Sequence, residues 1–388
     1  MRRSVWLLLL FLLAACTGTQ SPREPRLLFV THEQGGEHRA VLIEENAFAA
    51  AGEERLTYLA ATELVLPGEP LALDVVDRAG SRSQVVLLLR LQPAGYSAVW
   101  LDVEAIEPGT AGQLQVLRSV DLASELGDLL PDPADLCLVD LQVSRDGTVL
   151  GLYNNPRACG GATDARGNVF ILDIGTGTSR SLASSEPLAE AGVFIRQTRD
   201  DDELYFLDEA VQAVRLNRVE LPDGPVEQLQ RFAEGSDSPP PLQLTFTDGA
   251  FVALQRDRVR LLRDGSSSSL SVPQERSVDL VISDPAGDYL QALLVLQSGA
   301  SSRLLVYGAS DSDEPEEVTL TSGVSDGTVD PYQLWVYLLR PGGVDILDLL
   351  GLLEGSGSRP ARVSLPAGSL GTPGFITWVD GILPPPQP

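Results

Sequence analysis

The stretch from Leu136 to Cys159, "LCLVDLQVSRDGTVLGLYNNPRAC", decides how the rest of the chain is read. Two apolar runs flank the pair Asp146-Gly147, and such a pair between apolar runs predicts a β-hairpin. If Arg145 pairs with Thr148, the register carries Cys137 opposite Pro156, three residues short of Cys159. A modest curl of the following loop then brings the two sulfurs together. A bridge there would contribute about 3 kcal/mol by restricting the unfolded chain. Two buried free thiols are the alternative, and the sequence has too few cysteines for a zinc site.

The same design recurs. Apolar strand, tight turn and second apolar strand appear in "FVTHEQGGEHRAVLI", "VVDRAGSRSQVVLLL", "VSRDGTVLGLY", "TRDDDELYFLD", "LTFTDGAFVAL", "ISDPAGDYLQALLVL" and "VYLLRPGGVDILDLL". Their turns fall near Gly36, Gly80, Gly147, Asp202, Gly249, Gly287 and Gly343, at spacings of 44, 67, 55, 47, 38 and 56 residues. Between them lie second hairpins such as "AVWLDVEAIEPGTAGQLQVL", "NVFILDIGTGTSRSL" and "AVRLNRVELPDGPVEQL". Two hairpins per unit, about four strands over 40–50 residues, is the arithmetic of a propeller blade. The expected fold is therefore all-β: a β-propeller of seven blades of about four antiparallel strands, over residues 26–382. The scatter of the spacings leaves six or eight blades open, and paired β-sandwiches or a β-helix are the competing architectures.

Two of these segments carry a resemblance. "VSRDGTVLGLY" (143–153) resembles the inner-strand signature of WD40-like and related bacterial repeat propellers. "FILDIGTGTSRSL" (170–182) resembles the outer Asp-x-x-Thr-Gly hairpin of quinoprotein-type blades. The resemblance implies radial repetition from about Leu27 to Val379, and no single activity. The WD dipeptide and per-blade tryptophans of the named classes are missing.

Three segments interrupt the pattern. "ENAFAAAGEERLTYLAATEL" (45–64) has the Ala and Glu content of a short helix. "DLASELGDLL" (121–130) predicts a second one, capped by Asp121 with Leu122, Leu126, Leu129 and Leu130 on one stripe, and it accounts for the longest gap. "FITWV" (375–379) is placed to close the ring against N-terminal strands.

The N-terminal residues give an address. Arg2 and Arg3 precede an apolar run from Val5 to Leu13, the layout of a secretory signal peptide over 1–15, too short to span a bilayer. Leu13-Ala14-Ala15-Cys16 resembles the lipobox of bacterial lipoproteins. That resemblance implies a diacylglyceryl group on Cys16, cleavage before it and acylation, palmitate for instance, of its new amine. More than one acyl chain gives durable anchoring. Residues 16–25 then read as lipidated cysteine and tether, and 383–388 as an exposed Pro-rich tail. The expectation is a cell-envelope protein facing away from the cytoplasm, on the outer membrane if the organism has one. It is an exported setting, in which a Cys137–Cys159 disulfide is favoured over free thiols.

Charge narrows the chemistry. The formal net charge is −26, and loss of Arg2 and Arg3 takes it to −28. All 28 basic residues are arginine, which excludes a Schiff-base lysine, a P-loop lysine and a lysine general base. Such acidity opposes nucleic acid and anionic headgroups alike, so membrane contact is expected through the lipid only.

No catalytic motif emerges. His32 and His38 in "THEQGGEHRA" are the weak metal candidates. A two-residue turn at Gly35-Gly36 pairs His32 with Arg39 and Glu33 with His38, and so turns the two imidazoles to opposite faces. The acidic runs Asp200–Glu203 and Asp311–Glu317 lack calcium-loop spacing and read as solvated turns. There is no Gly-x-Ser-x-Gly elbow. No cofactor is expected, although lactonase-like propellers hold a channel calcium with scattered carboxylates that local spacing does not reveal. Trp100, Trp335 and Trp378 are read as core before interface anchors. The leading function is a protein-interaction or assembly scaffold with an envelope protein partner. A ligand-binding sensor and a metal-dependent lactonase-like hydrolase are the alternatives, and the enzyme reading is the less favoured.

Overall fold

A computed structural model describes residues 26–45, 56–78, 81–92, 95–103, 114–130, 132–161, 167–183, 193–197, 202–210, 213–233, 243–247, 250–254, 258–263, 266–271, 277–282, 290–298, 301–308, 316–320, 323–329, 335–349, 361–364 and 370–380. The signal peptide, Cys16, the tether and the Pro-rich tail lie outside the described residues.

The strands form seven four-stranded antiparallel sheets, the blades of one ring. In chain order the first strands are β1 (Arg26–Gln34), β2 (Glu37–Glu45) and β3 (Leu56–Val65). Blade 2 is β4 (Gly68–Arg78), β5 (Ser81–Leu91), β6 (Tyr96–Asp102) and β7 (Gln115–Asp121). Blade 3 is β8 (Leu138–Val143), β9 (Val149–Asn154), β10 (Asn168–Asp173) and β11 (Thr178–Ala183). Blade 4 is β12 (Val193–Gln197), β13 (Asp202–Ala210), β14 (Ala213–Glu220) and β15 (Val226–Ala233). Blade 5 is β16 (Gln243–Thr247), β17 (Ala250–Leu254), β18 (Arg258–Arg263) and β19 (Ser266–Ser271). Blade 6 is β20 (Ser277–Ile282), β21 (Leu290–Ser298), β22 (Ser301–Gly308) and β23 (Glu316–Leu320). Blade 7 is β24 (Asp326–Val329), β25 (Trp335–Arg340), β26 (Gly343–Asp348) and β27 (Ala361–Ser364). The last strand, β28 (Thr372–Asp380), returns to pair with β1, so blade 1 has the order β28-β1-β2-β3.

Innermost strands touch around the ring: β28 meets β4, β4 meets β8, β8 meets β12, β12 meets β16, β20 meets β24 and β24 meets β28. Closure therefore rests on a strand from each end of the ring, as the position of "FITWV" predicts. It also moves two hairpins. The Gly36 turn joins β1 to β2 and the Gly343 turn joins β25 to β26, so both are middle hairpins of their blades and not inner ones. In blade 1 the innermost strand comes from the far end of the chain. In blade 7 it is the short, polar Asp326-Gly327-Thr328-Val329, which has no apolar run to read.

The apolar runs are continuous because both faces of a middle strand are covered. Leu27 and Phe29 pack toward blade 2 with Leu87 and Val99, while Leu28 and Val30 pack toward blade 7 with Tyr337 and Ile346. Equivalent clusters join blades 2 and 3, 3 and 4, and 6 and 7. A short helix α1 (Leu122–Leu126) lies between blades 2 and 3, its first turn capped by the Asp121 carboxylate. Its Leu122 and Leu126 complete the cluster beneath.

The helix expected over 45–64 is corrected: residues 56–65 form β3, and 46–55 lie outside the described residues. The outer edge of β2 needs partners for its backbone groups, and that demand overrides the local helix preference. Thr62 fills the bulge between the two strands, accepting the Leu42 N–H at 2.9 Å and donating to the Leu59 carbonyl at 2.8 Å.

Candidate functional site

A propeller offers its channel wall and its two ring faces. On the wall, the innermost strands of three blades each place an aspartate against the next blade. Asp74 on β4 accepts its neighbour's Val75 N–H at 2.8 Å and the Val143 N–H of blade 3 at 2.7 Å. Asp140 on β8 accepts Leu141 N–H at 2.9 Å and the Val193 N–H of blade 4 at 3.0 Å. Asp326 on β24 accepts the Ile376 N–H of blade 1 at 2.7 Å, with Gly327 N–H as its local donor. Each carboxyl thus ties its own strand to the innermost strand of the next blade. Gln142 adds a longer tie between blades 3 and 4, through Ile195 N–H at 3.5 Å.

At Asp140 and Asp326 burial penalises the charged form more than the N–H groups relieve it. Asp140 is pushed up to about 6 and Asp326 up to about 7. The sign for stability follows. The folded state holds these protons above the ordinary aspartate range, so stability falls as pH rises from about 4 through about 6 at Asp140. Asp140→Ala leaves the Leu141 and Val193 N–H groups without that acceptor, an expected cost of about 2 kcal/mol at pH 4.5. The cost is expected to be smaller at pH 8, where the removed group is a buried charge. Urea unfolding of variant and wild type at the two pH values measures it.

For Asp74 and Asp140 the signal was present in the sequence, whereas Asp326 stands between Ser325 and Gly327. Apolar-Asp-apolar triads occur at 73–75 and 139–141 and again at 278–280, each in the innermost strand of a blade. The recurrence of a charge at one position of the blade is the signal of a tie between blades.

The other expected site residues are placed as follows. Cys137 and Cys159 are joined by a disulfide with Cα atoms 5.9 Å apart. The hairpin register is the one that pairs Arg145 with Thr148, carried up through Val143↔Leu150 and Asp140↔Tyr153. A bulge beyond Asp140 then shifts it, so Cys137 lies opposite Asn155 and not Pro156, its carbonyl accepting Asn155 N–H at 2.8 Å. A 3₁₀ turn over Pro156–Cys159 supplies the curl that brings Cys159 back. Asp146 organises the hairpin turn, accepting from Ser144 Oγ at 2.7 Å and Thr148 N at 2.9 Å, with Gly147 at φ +74°. Asp173 does the same for the Asp-x-x-Thr-Gly hairpin, accepting the Gly175 and Thr176 N–H groups.

His32 pairs with Arg39 and Glu33 with His38 across a Gly35-Gly36 turn in which both glycines have positive φ. The two imidazoles therefore sit on opposite faces of the hairpin. His32 is 1 % exposed, and its Nδ1 accepts Gly371 N–H at 3.4 Å. Among the described residues no three His, Cys, Asp or Glu side chains stand close enough to hold a metal ion.

The acidic runs are only partly solvated turns. Asp202 accepts the Arg145 N–H of blade 3 at 2.7 Å, and Glu203 pairs with Arg218 at 2.9 Å. Glu317 pairs with Arg303 at 2.6 Å. Asp200, Asp201, Asp311, Asp313 and Glu314 lie outside the described residues. Trp100 and Trp378 are core, and Trp335 is half-buried against the cluster that holds Trp378.

Strand register also fixes which elements share a ring face. Arg26 pairs with both Glu45 and Asp380, so the first and last described strand ends lie together on one face. The Ser144–Thr148 and Ile174–Gly177 turns are on that face too. The Gly35-Gly36 turn, the disulfide and the Pro341-Gly342 turn are on the opposite one. No helix among the described residues is long and apolar enough to cross a membrane.

No family model matches the chain, and no curated protein matches it in sequence. Solved structures are similar in shape. Hydrazine synthase of Kuenenia stuttgartiensis matches at 14 % identity and TM-score 0.49, over 76 % of this chain and 80 % of that one. TolB of Acinetobacter baumannii matches at 11 % and 0.47, over 80 % and 68 % respectively. Apo AztD of Citrobacter koseri matches at 12 % and 0.49, over 93 % and 99 %.

Proposed function

We propose that the protein is a lipid-anchored scaffold of the cell envelope, held at a membrane by acylated Cys16 and presenting one ring face to a protein partner. The reading rests on the shared face of the two strand ends. Cys16 stands 26 − 16 = 10 residues before Arg26, a tether reaching at most about 35 Å. It would keep the face bearing Arg26 and Asp380 toward the lipid. The opposite face, with the Gly35-Gly36 and Pro341-Gly342 turns, would look outward. The ring's acidity repels anionic headgroups at short range, which favours a stand-off on the tether over adsorption. On this reading the activity needs no cofactor, and partner capture persists after chelation.

The test is crosslinking in cells. With no lysine in the chain, amine-reactive reagents find no side chain to attack, so a photoreactive residue is needed. It is placed at Glu37 or Pro341 on the outward face and at Thr176 or Asp223 on the lipid-side face, all exposed. One envelope protein is expected to be captured from the outward positions alone. Cys16→Ser is expected to abolish both labelling by tagged palmitate and recovery with membranes, and to lose that capture. Equal capture from both faces, or a Cys16→Ser protein that stays with membranes, would overturn the reading.

A further inference from the structure

The outermost strand of each blade is the end of its sheet, and its outer edge is a row of backbone groups that no described strand pairs. Six of the seven edges are guarded among the described residues. Register bulges kink β3, β7 and β15. β23 carries Glu316 and Glu317, and β27 is only four residues long. α1 holds β11 through the Ser179 hydroxyl, which donates to the Glu125 carbonyl at 3.3 Å. β19 in blade 5 has none of these devices. It runs over Ser266–Ser271 as Ser-Ser-Ser-Ser-Leu-Ser, with no charge, no proline and no break in its pairing with β18.

The charge of the outer hairpins singles out the same blade. From the start of the third strand of the sheet to the end of the fourth, blade 1 has two arginines against six acids and blade 6 one against five. Blade 2 has one against four and blade 7 two against three, while blades 3 and 4 balance. Blade 5 alone is basic, with Arg258, Arg260 and Arg263 against Asp264, in a chain whose net charge is −26. The register sets Arg258 opposite Ser271 and Arg260 opposite Ser269. These positions alternate along β18 and so belong to one face of the blade.

We propose that the β19 edge is a docking site for an extended acidic segment of a partner protein, which adds to blade 5 as a fifth strand. Main-chain hydrogen bonds to β19 supply the attachment, and the arginine positions select acids at every second residue of the incoming strand. Two strand spacings, about 10 Å, separate β18 from such a strand. Arginine and glutamate side chains together are long enough to meet across a residue as small as serine. The acidity of the whole ring does not forbid this, because exposed charges more than about 8 Å away are largely screened at physiological salt. The edge lies on the rim of the ring, so its occupancy depends neither on the Cys16 anchor nor on either ring face.

The probe is a fluorescent synthetic peptide, Thr-Glu-Val-Glu-Val-Glu-Thr, titrated with the purified full-length protein and read by anisotropy. Saturable binding is expected, and none is expected for the same peptide with lysine in place of glutamate. A version N-methylated at every backbone amide keeps its charge but has no N–H to donate to a strand, and it is expected not to bind. Arg258→Ser together with Arg260→Ser is expected to weaken binding about fivefold, the worth of two exposed ion pairs. A photoreactive residue in place of Ser268 is expected to crosslink the acidic peptide, and one in place of Ser181 on β11 is not. Failure of the acidic peptide to bind overturns the proposal, as does equal crosslinking from the two strands. Equal binding of the N-methylated peptide also overturns it, since charge alone would then suffice, and that result stands even if the arginine variant does not fold. Self-association of the ring that the arginine variant abolishes would make a second copy the occupant, and would overturn it too.

Discussion

Replacing Trp378 with alanine is expected to lower the ring's stability by about 3–5 kcal/mol, the largest loss foreseen for a single substitution. The indole is 3 % exposed and lies in the cluster that joins blade 7 to blade 1, against Tyr337, Val344, Leu28 and Ile43. Removing it forfeits both the transfer of a large apolar surface and the contacts of a cavity that rigid β-strands cannot collapse to fill. The consequence should spread, because β28 also pairs with β1 along most of its length and touches β4 and β24. A ring with a weakened closing strand has two exposed edges, each a row of unpaired backbone groups. Urea titration of Trp378→Ala measures the loss, and Leu152→Ala in blade 3 is the comparison: fully buried, but remote from the closing seam. If the two cost the same and unfold with the same cooperativity, closure has no special weight.

The propeller was legible because blade construction writes itself into sequence twice. Turns need particular residues: Asp146-Gly147 and Gly35-Gly36 are placed where the chain reverses, and both registers follow from them. Strands covered on both faces read as unbroken apolar runs, as at Val85–Leu89. What stayed hidden was set by contacts distant in sequence. β3 is a strand because the edge of β2 needs it, and nothing within 56–65 says so. The innermost strand of blade 7 is four residues, held by Ile376 some fifty positions later. The blade-to-blade aspartates needed the blades to be aligned with one another before their recurrence could be seen. The disulfide lay in between: its hairpin register was readable, and the bulge beyond Asp140 that shifts it by one residue was not.

That disulfide carries the second large effect. Cys137→Ala together with Cys159→Ala is expected to cost about 3 kcal/mol, since the bridge closes a loop over a sequence separation of 22. The loss acts chiefly on the unfolded chain, which gains freedom when the loop is opened. The folded blade keeps its local bonds: Asn154 Oδ1 still accepts the backbone N–H at position 137, and the 3₁₀ turn is still closed by Gly160. Reduction should therefore steepen the dependence of stability on urea, because a longer unfolded chain exposes more surface, as well as lower the midpoint. Cys159 is the exposed partner and Cys137 the buried one, so a reductant reaches the bridge from the Cys159 side. Reduced wild type and the double variant should then unfold alike. A midpoint unchanged by either treatment would mean that the hairpin from Leu138 to Asn154 already orders the unfolded chain as much as the bridge does.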